Sequence, residues 1–426
     1  MKTIDASPIK SFFTRTLVRD IHLIDAILDL VDNSIDGYIR NHLQDKRSVK
    51  INFTKDKFVI EDNCGGIKKD EIYDHIFRFG KPTKEREKTL GVYGIGLKRA
   101  IFKIGTTIHI ESDDGVNFFT IKIDKDWLED ENNWKLEFET EAASTGNTLT
   151  RITITDIFSH IASEIENTTF ENDLINRLKN TYTIFLDNKV IIMVNDKIVG
   201  PYDFRFLFDG KDFVPFHKKY NFDSIEVEIY AGYTPVEGNK PHPLGWFVFC
   251  NDRLIISNNT LAKTGWSYER KYHYPEDDRF LGLVFFRSNN PILLPWQTTK
   301  DDIQEDSRIY RRAQVEMRAV TSRLIEVIRL AGRTKDPSTQ ETIGKALFED
   351  IPSKSIKDIK EESDEIVPIL KGRMSLYPKM TTIQYFEKIE LVKKVKKKFG
   401  DSYMSNRKVG EKTFEYYIKM EDIRDD

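Results

Sequence analysis

Between about Asp20 and about Leu43 apolar residues recur at helical spacing. Ile24, Ile27, Leu28, Val31 and Ile35 fall on one side of the predicted helix, and Asp25, Asp29, Asn33 and Asp36 fall on another. Ser7-Pro8 ahead of it reads as an N-cap and first helical position, opening a segment through Phe12, Phe13 and Leu17. The period then changes to two. Val49–Phe53 and Lys57–Glu61 alternate as strands joined by a turn at Lys55-Asp56. The second strand runs into Asp62-Asn-Cys-Gly-Gly66, and after a polar stretch over 68–90 comes Gly91-Val-Tyr-Gly94-Ile-Gly96-Leu97-Lys98. A helical pattern follows through Ile101, Phe102 and Ile104. Thr107–Glu111, Phe118–Ile123, Trp134–Glu139 and 146–154 then read as strands, and with no helices between them they predict a largely antiparallel sheet.

Residues 158–181 read as helical and lead to a second set of strands: Val190–Asn195, Ile225–Tyr230, Leu244–Asn251 and Leu281–Phe286. Pro291–Lys300 reads as a loop and Ile309 to about Leu330 as a long helix. Beyond Gly332 the composition shifts to Lys, Glu and Ser with short helical stretches. The expected division is 1–160, 161–332 and 333–426, in an α+β chain.

Composition narrows the class. The 426 residues suffice for two or three cores, and 39% hydrophobic with 32% charged residues describes a globular chain. A net charge of −3 gives no global field for nucleic acid. Two cysteines far apart, Cys64 and Cys250, argue against a disulfide framework and fit a reducing cytoplasm. The N-terminus lacks an apolar signal core, and no apolar run reaches the roughly 20 residues needed to span a bilayer. The expectation is a cytoplasmic protein with no membrane partner.

The acidic helix face, alone, is more often solvated than functional. Its oxygens also suit a hard cation and a positioned water. Asp62 offers a carboxylate beside glycines that admit close approach. The second glycine cluster opens a helix whose free N–H groups and dipole attract phosphate, with Lys98 and Arg99 near that end. Each feature is weak alone; the order and spacing of all three form a strong signal.

That order resembles the GHKL ATPases: gyrase, the ninety-kilodalton chaperone, histidine kinases and MutL. The resemblance implies a Bergerat-type α/β sandwich binding ATP and Mg2+. Asp29-Leu-Val-Asp-Asn33 is similar to the box whose acid activates water, with Asp32 assisting, and whose Asn ligates the metal. By the same resemblance Asp62 accepts the adenine amino proton and Gly66 lets the ring approach. Gly91, Gly94 and Gly96, with Leu97 and Lys98, form a mobile segment over the phosphates, and the hydroxyl of Thr148 in Gly146-Asn-Thr148 supports the adenine site. Two departures stand out. Asp29 replaces the usual Glu and is one methylene shorter, so slow turnover is expected; Cys64 stands where a Gly is common and reads as a small buried thiol.

Gln297-Thr-Thr-Lys300 resembles the loop of a ribosomal-protein-S-five-like transducer domain, whose Lys reaches the γ-phosphate. Gly245–Ile255, with Asn251-Asp-Arg253-Leu-Ile, resembles MORC ATPases. These resemblances imply a clamp or switch that dimerises on ATP binding, through an arm before Asp20, and acts on a protein or DNA partner; the bacterial relatives imply defence against foreign DNA. The alternative is a nucleotide-occupancy signalling module without significant hydrolysis. A histidine kinase is disfavoured, because His22 on the acidic helix is the only histidine upstream of Asn33 and reads as a packing or capping residue. The basic run Lys393–Lys398, flanked by Tyr385, Phe386 and Phe399, reads as the solvated face of a helix with Ile389, Val392 and Val395 packed inward, in preference to a DNA contact. Trp266, Trp296 and Tyr272–Tyr274 are assigned to core or interface.

Overall fold

A computed structural model describes residues 9–16, 18–78, 88–92, 94–144, 146–235, 244–266, 279–331, 348, 351–359 and 386–423. The chain forms two compact units, 1–372 and 373–426. The expected helix start at Ser7-Pro8, Leu17, Tyr93, Tyr272–Tyr274 and Tyr385 lie outside the described residues.

In the first unit, helix α1 (Leu23–Arg40) buries Ala26, Ile27, Leu28, Leu30, Val31 and Ile35. It begins at His22, which sits at the N-cap position but makes no side-chain capping bond. Strands β1 (Arg47–Phe53) and β2 (Phe58–Asp62) form the expected hairpin. Helix α2 (Gly96–Ile104) follows the second glycine cluster and packs against α1. Then come β3 (Gly105–Asp114), β4 (Asn117–Ile123), β5 (Phe138–Ala143) and β6 (Thr148–Ile157). The strand expected at Trp134–Glu139 therefore lies four residues later; in place of it the Trp127 indole donates to the Lys135 carbonyl at 2.8 Å.

Helices α3 (Ser159–Ile165) and α4 (Phe170–Asn188) lead to β7 (Val190–Val194) and β8 (Lys197–Val199). Here the strand assigned by sequence to the second region joins the first sheet, because β7 pairs in parallel with β1. The eight strands run β5-β4-β3-β6-β2-β1-β7-β8. Their alternation buries Val49, Ile51, Phe58, Ile60, Ile108, Ile110, Ile152 and Ile154 in the core shared with α1 and α2. Across the strands, Arg151 pairs with Glu61 at 2.6 Å and Glu111 at 3.2 Å, an aligned cross-strand ladder.

A second sheet runs β10-β11-β14-β12-β13, from β10 (Phe216–Phe222), β11 (Ile225–Tyr233), β12 (Gly245–Cys250), β13 (Arg253–Asn259) and β14 (Phe280–Arg287). Strand β9 (Arg205–Leu207) pairs separately with β15 (Ser353–Ser355). The central strands β12 and β14 are parallel and, up to the terminal Arg287, apolar and buried, because both faces are covered. Helix α5 (Arg308–Ala331) covers one face with Ile309, Tyr310, Ala313, Met317, Val320 and Leu324, and its Thr321 accepts from the Trp246 indole at 2.9 Å. Phe204, Phe206, Phe247, Phe249 and Phe285 form a cluster with Leu281, Leu283 and Ile359. Trp266 and Trp296 are core residues, as expected, and both cysteines are buried free thiols. Helix α4 contacts both β7 and β13, joining the two sheets.

The second unit holds helices α6 (Ile389–Lys398) and α7 (Asn406–Met420). Val392 and Val395 are half-buried, but Ile389 is exposed, so the inward stripe expected of the basic run is incomplete. Among the described residues no helix is long and apolar enough to cross a membrane.

Candidate functional site

One cavity lies between α1, the turn after β2, and the segment entering α2. It is lined by Asp29, Asn33, Asp62, Gly66, Gly91, Gly94, Gly96, Leu97, Lys98 and Lys300, together with Asp32, Asp36, Arg99, Thr150 and Thr298. Residues far apart in sequence thus meet where helical spacing and the two glycine turns placed them.

At one end, Asp62 ends β2 and is buried. Its Oδ2 accepts from the Ser34 hydroxyl at 2.7 Å and its Oδ1 from the Cys64 N–H at 2.8 Å. Burial raises its pKa to about 6 against those two hydrogen bonds, so it is largely ionised at neutral pH. Each carboxylate oxygen has a second lone pair, which leaves capacity for an incoming N–H donor. The turn that follows needs its glycines for the chain itself. Gly66 has φ +69°, and a Cβ there would lie 2.0 Å from the Asp113 carbonyl oxygen, so its bareness first serves packing against β3. Gly37 plays the same part inside α1, where a Cβ would lie 3.0 Å from the Cys64 carbonyl oxygen.

Thr148 is not brought to the cavity. Its hydroxyl donates to the Asn63 carbonyl at 3.2 Å, whereas Thr150, two residues on, stands opposite Asp62 in the β2–β6 ladder and lines the cavity. Period-two alternation puts both threonines on one face; only the register separates them.

The other end is densely charged. Asp29 is buried, and its Oδ2 accepts from Arg99 Nη2 at 2.6 Å and Nε at 3.0 Å. Asn33 donates from its amide nitrogen to the Asp29 carbonyl at 2.7 Å, one turn back, which leaves its amide oxygen for another partner. Asp36 accepts from the Leu90 and Gly91 N–H groups at 2.6 and 2.7 Å, and burial raises its pKa to about 6. It fixes the start of the second glycine segment, a role the acidic face alone did not reveal.

The first turn of α2 has no side-chain cap and no acidic residue, so its positive dipole end is not offset there by a carboxylate and suits an anion. Lys98 lines the cavity, but its ammonium donates to the Ile76 and Arg78 carbonyls at 2.8 and 3.0 Å. The sequence pointed this lysine at phosphate; its long stem instead carries the ammonium to the backbone at residues 76 and 78, and burial lowers its pKa to about 8.

Lys300 comes from the loop after β14. Its ammonium lies 2.7 Å from Asp32 Oδ2, while Asp32 Oδ1 accepts from Arg253 Nε at 2.9 Å and the Tyr182 hydroxyl at 2.7 Å. Burial works to raise the Asp32 pKa, but Arg253 and Lys300 together hold it below its usual value. Gln297 is exposed and its backbone N–H turns inward to the Asp302 carbonyl, so Thr298 and Lys300 line the cavity and Gln297 does not.

No curated protein matches the chain. Residues 21–157, which carry all of this cavity's lining except Thr298 and Lys300, match the family model described as Histidine kinase-, DNA gyrase B-, and HSP90-like ATPase, so this part of the chain is similar to a GHKL-type ATPase domain.

Proposed function

We propose that the cavity binds ATP and that the chain hydrolyses it slowly, as a switch. The observation that carries this reading is convergence: a buried acceptor at one end, an uncapped helix N-terminus near the other, and a lysine from a separate sheet region on the same space. Asp62 would take the adenine amino group, with Thr150 opposite it in the ladder. The α2 N–H groups and Arg99 would take phosphate oxygens.

The donor set fits Mg2+ held by the Asn33 amide oxygen and by phosphates. Among the described residues no cluster of three His, Cys, Asp or Glu could hold a metal, and Mg2+ commonly takes only one or two protein oxygens beside phosphates. Bound there, the ion would neutralise phosphate charge.

Hydrolysis requires the Asp29 carboxylate to accept a proton from water. It is now engaged by Arg99, a side chain suited to moving onto phosphate when one arrives. The short Asp29 and this pairing together account for slow turnover, and they favour the second reading, occupancy-controlled signalling, if Arg99 never leaves. ATP-dependent dimerisation, a transducer role for the second sheet, and a protein or DNA partner belong to the same proposal and rest on the family resemblance.

Phosphate release at stoichiometric ATP, measured alongside binding, tests it. In Asp29→Ala, release should fall about 100-fold or more while ATP binding persists. Unchanged release removes Asp29 as the base, and binding without release in the wild type supports the occupancy reading.

A further inference from the structure

The hairpin turn joining β12 to β13 touches both moving parts of this proposal. Asn251 and Asp252 sit there with φ +47° and +65°. The Asn251 amide nitrogen donates to the Thr89 carbonyl at 3.2 Å and the Ser288 carbonyl at 3.1 Å, and its oxygen accepts from the Ser288 N–H at 2.9 Å. Thr89 immediately precedes Leu90 and Gly91, whose N–H groups are held by Asp36. Two residues after Asn251, Arg253 donates from Nε to Asp32 and from Nη1 to the Lys300 carbonyl at 3.0 Å. Lys300 itself has φ +58°, a conformation that a non-glycine residue keeps only where its surroundings enforce it. Asn251, Arg253, Asp32, Thr89 and Lys300 are all buried.

We propose that the Asn251–Arg253 turn is a positioning device that couples the Lys300 loop to the segment entering Gly91–Gly96. Arg253 sets Lys300 twice over: it holds the carbonyl that fixes the left-handed backbone, and it shares Asp32 with the ammonium. Asn251 ties that setting to Thr89. When Lys300 leaves Asp32 for a γ-phosphate, Arg253 becomes the sole cation on Asp32, and the turn carrying it is the one that grips the glycine segment. Sensing of the terminal phosphate and movement of the glycine segment then occur as one event. The inference rests on the nucleotide reading of the cavity.

The test uses the full chain with Arg253→Lys, which preserves charge beside Asp32 but cannot bond both Asp32 and the Lys300 carbonyl with a planar fork. ATP and ADP affinities are measured by calorimetry. The ratio of ATP to ADP affinity should fall about tenfold, with ADP affinity kept within about twofold. Lys300→Ala should do the same, and the double variant should be no worse than either single one. Asn251→Ala, which removes no charge, should also lower the ratio, and it carries the test if Arg253→Lys does not fold. Equal losses for both nucleotides, additive losses, or an unchanged ratio overturn the coupling.

Hydrogen exchange without nucleotide separates this from failure of the cavity reading. If the wild type binds neither nucleotide, that reading fails. Faster exchange at the Leu90 and Gly91 amides in Arg253→Lys still supports the coupling, and unchanged exchange overturns it.

Discussion

At the β2 end of the cavity, the groups that would meet a base are set by uncharged partners: Asp62 is held by a hydroxyl and an N–H. At the far end, buried charges are balanced by one another, Asp29 by Arg99 and Asp32 by Arg253 and Lys300. A preorganised wall can receive a ligand without rearrangement. A wall of internal ion pairs must exchange partners, so binding there is coupled to motion. Under the proposed function, affinity would arise at the β2 end and switching at the far end.

The far end breaks most violently. Asp32→Ala leaves Arg253 and Lys300 buried without their counter-charge, and such a loss costs about 3–5 kcal/mol. Denaturant unfolding should show it as a lower midpoint with little change in slope. Asp32→Asn, which keeps the shape and part of the hydrogen bonding, should cost less. If Asp32→Ala unfolds like the wild type, the far end is not charge-locked and the contrast fails.

The near end is sharpened by pH, with a smaller effect of two signs. Asp62 has a folded pKa of about 6, raised from 3.8, so its protonation favours the folded state. That contribution is fully present below 3.8 and is lost as pH rises through about 6. Under the proposed function binding runs the other way, because the ionised carboxylate would accept the adenine amino group. Between about pH 7 and pH 5 the affinity for adenosine, which carries no phosphate to titrate, should fall about tenfold. Asp62→Asn should flatten that dependence; a profile unchanged by the substitution contradicts the assignment.

This contrast also marks what the sequence could disclose. Asp29, Asn33, Asp62 and the glycines at 91, 94 and 96 were legible because local periodicity and turn chemistry place them, and all of them line the cavity. Pairings over long separations were not. The cationic partners of Asp32 lie 221 and 268 residues away, and β7 reaches β1 across the strands β2–β6 and helices α2–α4, which no local pattern reports. Choosing Thr150 over Thr148 needed the β2–β6 register. The direction of the Lys98 ammonium needed the position of the Ile76 and Arg78 carbonyls. Arg253 was visible only within a resemblance, with nothing to say that it grips the Lys300 loop.

The most direct test of the central claim is a calorimetric titration of the full chain with ATP and Mg2+ at neutral pH, repeated with Asp62→Asn. The wild type should show one saturable site per chain, and the variant an affinity lowered about 30-fold or more, since a charged acceptor becomes a mismatched amide. Equal binding by both proteins, or none by the wild type, would contradict the claim.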